Sequence, residues 1–189
     1  LFSGRLFSGR RIGPVCVFLF VLFLIVTPSQ NAAAQIAKGW HLRPVPESWR
    51  SMPTGELAPV NGYSWYRVLV RIPAEWKDAS LTMFVESLDD ARSTWINGQQ
   101  IGATGTFPPQ FRSGLGEKGR YAIDPTFIRA GEFNTIAIRI YQSDPRPNFS
   151  VTPPVLMNES AKQGLRLEGT WQYRPGDDSS WSTSTPSEF

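Results

Sequence analysis

The sequence predicts an all-β protein, a sandwich of two packed sheets, on three observations. Apolar residues recur with period two in YSWYRVLVRIP (63–73), SLTMFVES (80–87) and NTIAIRIYQ (134–142). Asn97-Gly98 stands between two short alternating runs, where a two-residue type I′ hairpin turn belongs. The alternating runs recur every dozen residues or so, with almost no 3.6-residue periodicity between them. No repeat of about 20–50 residues is visible, which argues against a propeller or solenoid.

Taken in order, the chain opens on the repeated pentapeptide LFSGR-LFSGR, then Arg10-Arg11 and the apolar run VCVFLFVLFLIV (15–26). Ala32-Ala33-Ala34 follows a polar stretch. A basic start, a short apolar core and a small-residue site are the layout of a secretory signal peptide. A membrane-spanning helix would need about 20 apolar residues, more than this run offers. Residues 1–34 are therefore expected to be a signal peptide cleaved after Ala34, making the protein exported, periplasmic or extracellular. Membrane contact is expected only if that signal is not cleaved.

The signal also accounts for the charge. The whole chain carries a formal +3. Loss of Arg5, Arg10 and Arg11 takes its 19 basic residues to 16, equal to its 16 acidic ones. A neutral mature chain has no electrostatic case for nucleic acid, which asks for a basic patch or stripe. The single cysteine, Cys16, lies inside the apolar run, so the mature part has no disulfide and depends on an ordinary core.

Residues 35–62 read as an extended lead-in strapped along a sheet edge, because prolines at 44, 46, 53 and 59 block long regular elements. The sandwich proper is expected over 63–176. In its first strand Tyr66, Val68, Val70 and Ile72 share one face, and Trp65, Arg67, Leu69 and Arg71 the other. Trp65 is then either exposed or covered by the lead-in. Leu81, Met83 and Val85 mark the next strand, and DDARSTWINGQQIG (89–102) the hairpin. Residues 104–119 read as a Gly- and Pro-rich loop, 120–123 as a short strand, and 124–133 as a turn. Ile136, Ile138 and Ile140 define a clear strand, 143–160 a proline-rich loop, and Leu165, Leu167, Trp171 and Tyr173 the close. Residues 177–189 read as a linker or the start of a further segment.

The chemical inventory is thin. His41 is the sole histidine, and Ser113 in FRSGLG is not in a G-x-S-x-G frame, so a Ser-His-Asp device has little to stand on. Beside that catalytic reading, an ordinary edge-strand role for His41 is open. Zinc needs three or four His, Cys or carboxylate ligands that the mature chain does not group. Glu86 and Glu168 fall on expected strands, but no spacing singles out a carboxylate pair for glycoside cleavage. Asp89 and Asp90, and more weakly Asp177-Asp178, offer oxygens to a structural Ca²⁺, the one cofactor expectation. Adjacent acids in a strand nonetheless point to opposite faces. Six tryptophans, at 40, 49, 65, 76, 95 and 171, are either core or platforms for the apolar faces of sugars.

Four motifs then combine. W-Y-R-x-x-x-x-I-P (65–73), L-x-x-F-V-E-S-L-D-D (81–90), W-I-N-G-x-x-I-G (95–102) and A-G-x-x-N-T-I-A-I-R-I (130–140) resemble the galactose-binding-like jelly-roll. The resemblance is to the sugar-binding domain of family-two glycoside hydrolases. Arg120-Tyr121-Ala122-Ile123 and the L-x-G-x-W-x-Y-R-x-G run of 167–176 are similar to the jelly-roll inserted in sialate O-acetylesterases. The match covers roughly residues 40–176.

The resemblance implies a jelly-roll β-sandwich. It does not carry catalysis over, because both families keep their catalytic groups in a separate domain. In some family-two enzymes the asparagine of the N-G hairpin reaches a neighbouring active site, a role that would fall on Asn97. The expectation is an exported, non-catalytic module that binds carbohydrate or docks a catalytic domain. Its groove would lie between loops 104–119 and 143–160, beside Asp89, Asp90 and Asn97, with Arg67, Arg112 and Trp95 near. The alternative is the N-terminal part of a glycosidase or sialate O-acetylesterase-like hydrolase whose catalytic domain lies elsewhere. A third reading is a purely structural module.

Overall fold

The computed structural model describes residues 39–50, 53–87, 90–144 and 152–183. The expected signal peptide, Asp89, and the middle of the loop after Ser143 lie outside them. All regular elements described are strands and short 3₁₀ turns. Among the described residues no helix is long and apolar enough to cross a membrane.

The strands are β1 (His41–Val45), β2 (Tyr63–Arg71), β3 (Leu81–Val85), β4 (Ala91–Ile96) and β5 (Gln99–Thr104). They continue with β6 (Gly119–Ile123), β7 (Phe133–Tyr141), β8 (Val155–Asn158), β9 (Gln163–Arg166) and β10 (Gly169–Pro175). One sheet has the order β1-β10-β2-β7-β4-β5 and the other β6-β3-β8-β9, with every pairing antiparallel. The expected all-β class holds, as a β-sandwich.

Pairing of β2 with β7 sets the centre of the larger sheet: Tyr66 opposes Ile138 and Val68 opposes Ile136. One face of that pair looks into the sandwich, where it meets Leu81, Met83, Val85, Tyr121, Ile123 and Leu156 from the smaller sheet. Trp171 and Tyr173 of β10 fill the same core, with Trp49 of the lead-in set edge-on against Tyr66 and Trp171. Burying each such side chain contributes about 1.5–3 kcal/mol, which explains how the chain dispenses with disulfides. The two sheets also meet along one margin, where Tyr121 Oη and Thr104 Oγ1 share a hydrogen bond of 2.6 Å. Gly102 and Gly119 make room there, since a Cβ on either would enter the Tyr121 ring.

Three elements differ from, or add to, the sequence expectation. The loop expected over 143–160 contains β8, and Leu156 in it is fully buried between β3 and β9. A four-residue strand behind Pro153-Pro154 is too short for its period to show. The lead-in supplies β1 itself; Pro44 is tolerated because β1 is an edge strand. Residues 177–183, read as linker, pack on the outer face of the larger sheet. There Trp181 meets Trp40 edge-on at 5.8 Å, and the two, with Trp95 and Ala137, enclose Trp65. Trp65 is completely buried, under the tail as well as the lead-in.

Candidate functional site

The expected groove is split by the length of β4. Asp90 precedes its first residue and Asn97 follows its last, which at about 3.3 Å per residue separates them by roughly 20 Å. The two belong to opposite ends of the sandwich.

Asn97 (φ 48°) and Gly98 (φ 83°) form the left-handed pair of the turn. The Asn97 side chain faces inward along the sheet end. Its amide donates to Phe127 O and to Asn134 Oδ1, each at 2.8 Å, and accepts from Thr135 N at 3.0 Å. Both amide hydrogens are therefore committed inside the domain. Its geometry is that of a brace at this end of the sheet.

Asp90 is buried. Its carboxylate accepts from Ser113 Oγ at 2.8 Å and from Ser143 N and Oγ at 2.9 and 2.6 Å, and its carbonyl accepts from Gly114 N at 2.6 Å. One side chain thus fastens the 104–119 loop to the chain leaving β7. Gly105 (φ +70°) is required beside it, because a Cβ there would press on the Asp90 carbonyl oxygen. Among the described residues no three His, Cys, Asp or Glu side chains cluster as ligands.

Phe107 and Phe111 of the fastened loop form a cluster of rings with Tyr63 at the start of β2 and Tyr141 at the end of β7. Tyr63 stacks on Phe107 at 6.1 Å and packs on Tyr141 at 4.9 Å, and Phe111 meets Tyr141 edge-on at 5.4 Å. Phe111 is 40% exposed. The Arg139 guanidinium lies 4.0 Å from the Phe107 ring centre and 4.9 Å from that of Tyr63, and is held by a bidentate pair to Asp177 at 2.7 Å. Partial burial is the main cause that pushes the Tyr63 phenol above its ordinary range, against the lowering pull of Arg139. Next to the cluster an open cleft of about 620 Å³ runs between Pro53, Ala58, Pro59, Gly62, Gln142 and Ser143.

The remaining candidates lie elsewhere. Arg112 is on the Asp90 end, where it pairs with Glu117 at 2.9 Å in the open. Arg67 is buried on the outer face of β2, stacked 3.9 Å over Trp40 and donating to Gln172 Oε1 and to Thr183 O. Trp95 is half-buried on that same face, its ring tilted against Trp65 at 6.2 Å. Trp40, Trp49, Trp65, Trp76 and Trp171 are all buried and serve as core. At the Asp90 end the accessible rings are instead Phe107, Phe111, Tyr63 and Tyr141. The two phenylalanines of FPPQF could have been noticed, since apolar residues in a Gly- and Pro-rich loop have no strand face to join.

Catalytic pairs do not form from the residues considered. Glu86 pairs with Lys118 at 3.1 Å and Glu168 with Arg166 at 3.2 Å, each carboxylate facing its own cation. His41 lies on edge strand β1 opposite Tyr173.

No family model and no curated protein sequence matches the chain. Among solved structures, Streptomyces avermitilis α-L-rhamnosidase complexed with L-rhamnose is similar, with a TM-score of 0.50 and 18% identity over 70% of this chain. β-Glucuronidase from Ruminococcus gnavus in complex with D-glucuronic acid gives a TM-score of 0.43 and 17% identity over 69% of this chain. The chain spans 12% of the first protein's length and 23% of the second's. At these identities the rhamnosidase likeness speaks for the β-sandwich fold alone.

Proposed function

We propose that this chain is an exported, non-catalytic carbohydrate-binding module of jelly-roll type, ancillary to glycan degradation. Its sugar-contact surface is the end of the sandwich that carries Tyr63, Phe107, Phe111 and Tyr141. The observation that carries the reading is that Phe107 and Phe111, on a loop fixed by the buried Asp90 carboxylate, stand accessible beside Tyr63 and Tyr141 at the ends of β2 and β7. Rings offer flat apolar faces to the C–H faces of a sugar. Loops already pinned before binding lose little further conformational entropy. Ser143 and Arg112, exposed at the same end, supply polar groups for hydroxyls.

A glycan array followed by calorimetry on residues 35–189 tests the proposal. Phe111→Ala should weaken the best glycan about tenfold, a loss typical of one stacking contact, while leaving the melting temperature nearly unchanged. Absence of binding across neutral and acidic polysaccharides would remove it.

A second reading has its own support. The similar solved proteins are several times longer than this chain, so the module is equally suited to sit beside a glycosidase or esterase domain. In that setting the exposed Phe111 and Leu115 would be docking residues, and co-expression with the neighbouring domain should protect them from solvent.

A further inference from the structure

At the opposite end of the sandwich, a second cleft of about 450 Å³ is lined by Leu69, Arg71, Arg129, Glu132, Phe133 and Thr135, with Gly131 at its turn. We infer that this cleft binds the carboxylate of an acidic sugar residue, a uronate within a glycan. The inference is independent of the ring-bearing end.

The cleft brings together two guanidiniums and one exposed ring. Arg71 uses its Nε on Gly131 O at 3.2 Å, which leaves its two terminal nitrogens directed elsewhere. Neither Arg71 nor Arg129 makes an ion pair among the described residues. Phe133, 48% exposed, lines the same cleft and is the cross-strand partner of Arg71. A guanidinium binds a carboxylate through two parallel N–H···O contacts, and a ring face receives the C–H face of the attached sugar. The volume suits one or two sugar residues rather than a protein segment.

The cleft is also built in advance. Asn134, fully buried, accepts from Arg129 N at 2.8 Å and donates to Arg129 O and Glu132 O at 2.9 and 3.0 Å. Gly131 N donates to Ile72 O at 2.8 Å, and Ile72 N to Glu132 O at 3.2 Å. Asn97 secures Asn134 in turn. The loop carrying Arg129 is thus fixed to both β2 and the hairpin, and Asn97 acts on the cleft as a positioning residue. Glu132 shares the rim, pairs with neither arginine among the described residues, and would repel an incoming carboxylate.

Titration calorimetry with galacturonate and glucuronate disaccharides, beside their methyl esters, tests this on residues 35–189. The acids should bind and the neutral esters should bind at least tenfold more weakly. Arg129→Gln and Arg71→Gln should each cost about tenfold with no change in melting temperature, since both side chains are exposed. Glu132→Gln should strengthen binding, and Leu42→Ala, an exposed change on β1 outside both clefts, should leave it unaltered. Equal binding of acid and ester, no binding of either, or acid binding that survives both arginine substitutions would each overturn the inference. A loss with Phe111→Ala instead would return the acid to the other end and likewise overturn it.

Discussion

The side-chain amides of Asn97 and Asn134 meet at 2.8 Å, so a hairpin turn on one strand pair holds the loop that begins β7. Asn97 supplies the backbone conformation of the turn and Asn134 is fully buried, each accepting and donating within the network.

Asn97→Ala therefore combines a left-handed backbone unsuited to alanine with unmet hydrogen bonds at buried groups, at an expected cost of about 3 kcal/mol. Asn97→Gly should relieve the backbone part and lose about 1 kcal/mol less. Urea denaturation of the two variants separates the contributions.

Asp90→Asn places an amide NH₂ against groups that donate to the carboxylate, above all the Ser143 N–H at 2.9 Å. A loss of about 2 kcal/mol is expected. Amide exchange should accelerate at Ser143 and Gly114, and leave the Asn97 end protected.

Trp181→Ala uncovers the outer face of the larger sheet. It removes the edge contact to Trp40 at 5.8 Å and the stack under the Arg174 guanidinium at 4.1 Å. Stability should fall by about 2 kcal/mol. Tryptophan fluorescence should shift to the red as Trp40 and Trp65 become wetted.

Burial pushes the Tyr173 phenol up to about 12 from its ordinary 10.0, against lowering contributions from Ser64 and Arg43. Between those pH values the unfolded chain has released a proton that the folded chain still holds. Stability should therefore drop as pH rises from about 10 to 12, by about 2 kcal/mol. Tyr173→Phe loses the hydrogen bond to Leu57 O at 2.7 Å, costing about 1 kcal/mol near neutrality. It should flatten the alkaline fall measured by denaturation across that range.

Period-two alternation made the centre of the fold legible. Tyr66, Ile136, Ile138 and Ile140 all face the core as their spacing requires, and Asn97-Gly98 turns where it should. Trp65 lies on the outer face of β2 as its spacing requires and is covered by the lead-in, one of its two open readings; the tail that also covers it approaches from far along the chain, which no local pattern records. The misses have physical causes. Leu156 lies in a strand too short to show a period. In the site, Asp90 and Asn97 look adjacent as a hairpin written on one line, but a strand converts sequence separation into distance and sends them to opposite ends. Asn134, Arg129 and Phe133 carry no local sequence signal, because what ties them together is the contact of Asn134 with Asn97 across the sheet end.

The most direct test of carbohydrate binding at the Asp90 end is an amide chemical-shift map of residues 35–189, titrated with the glycan selected on an array. Shifts should concentrate at Tyr63, Tyr141, Ser143 and the 105–115 stretch, and vanish in Phe111→Ala. Tight binding with shifts confined to other surfaces, or no binding by the folded domain, would contradict it.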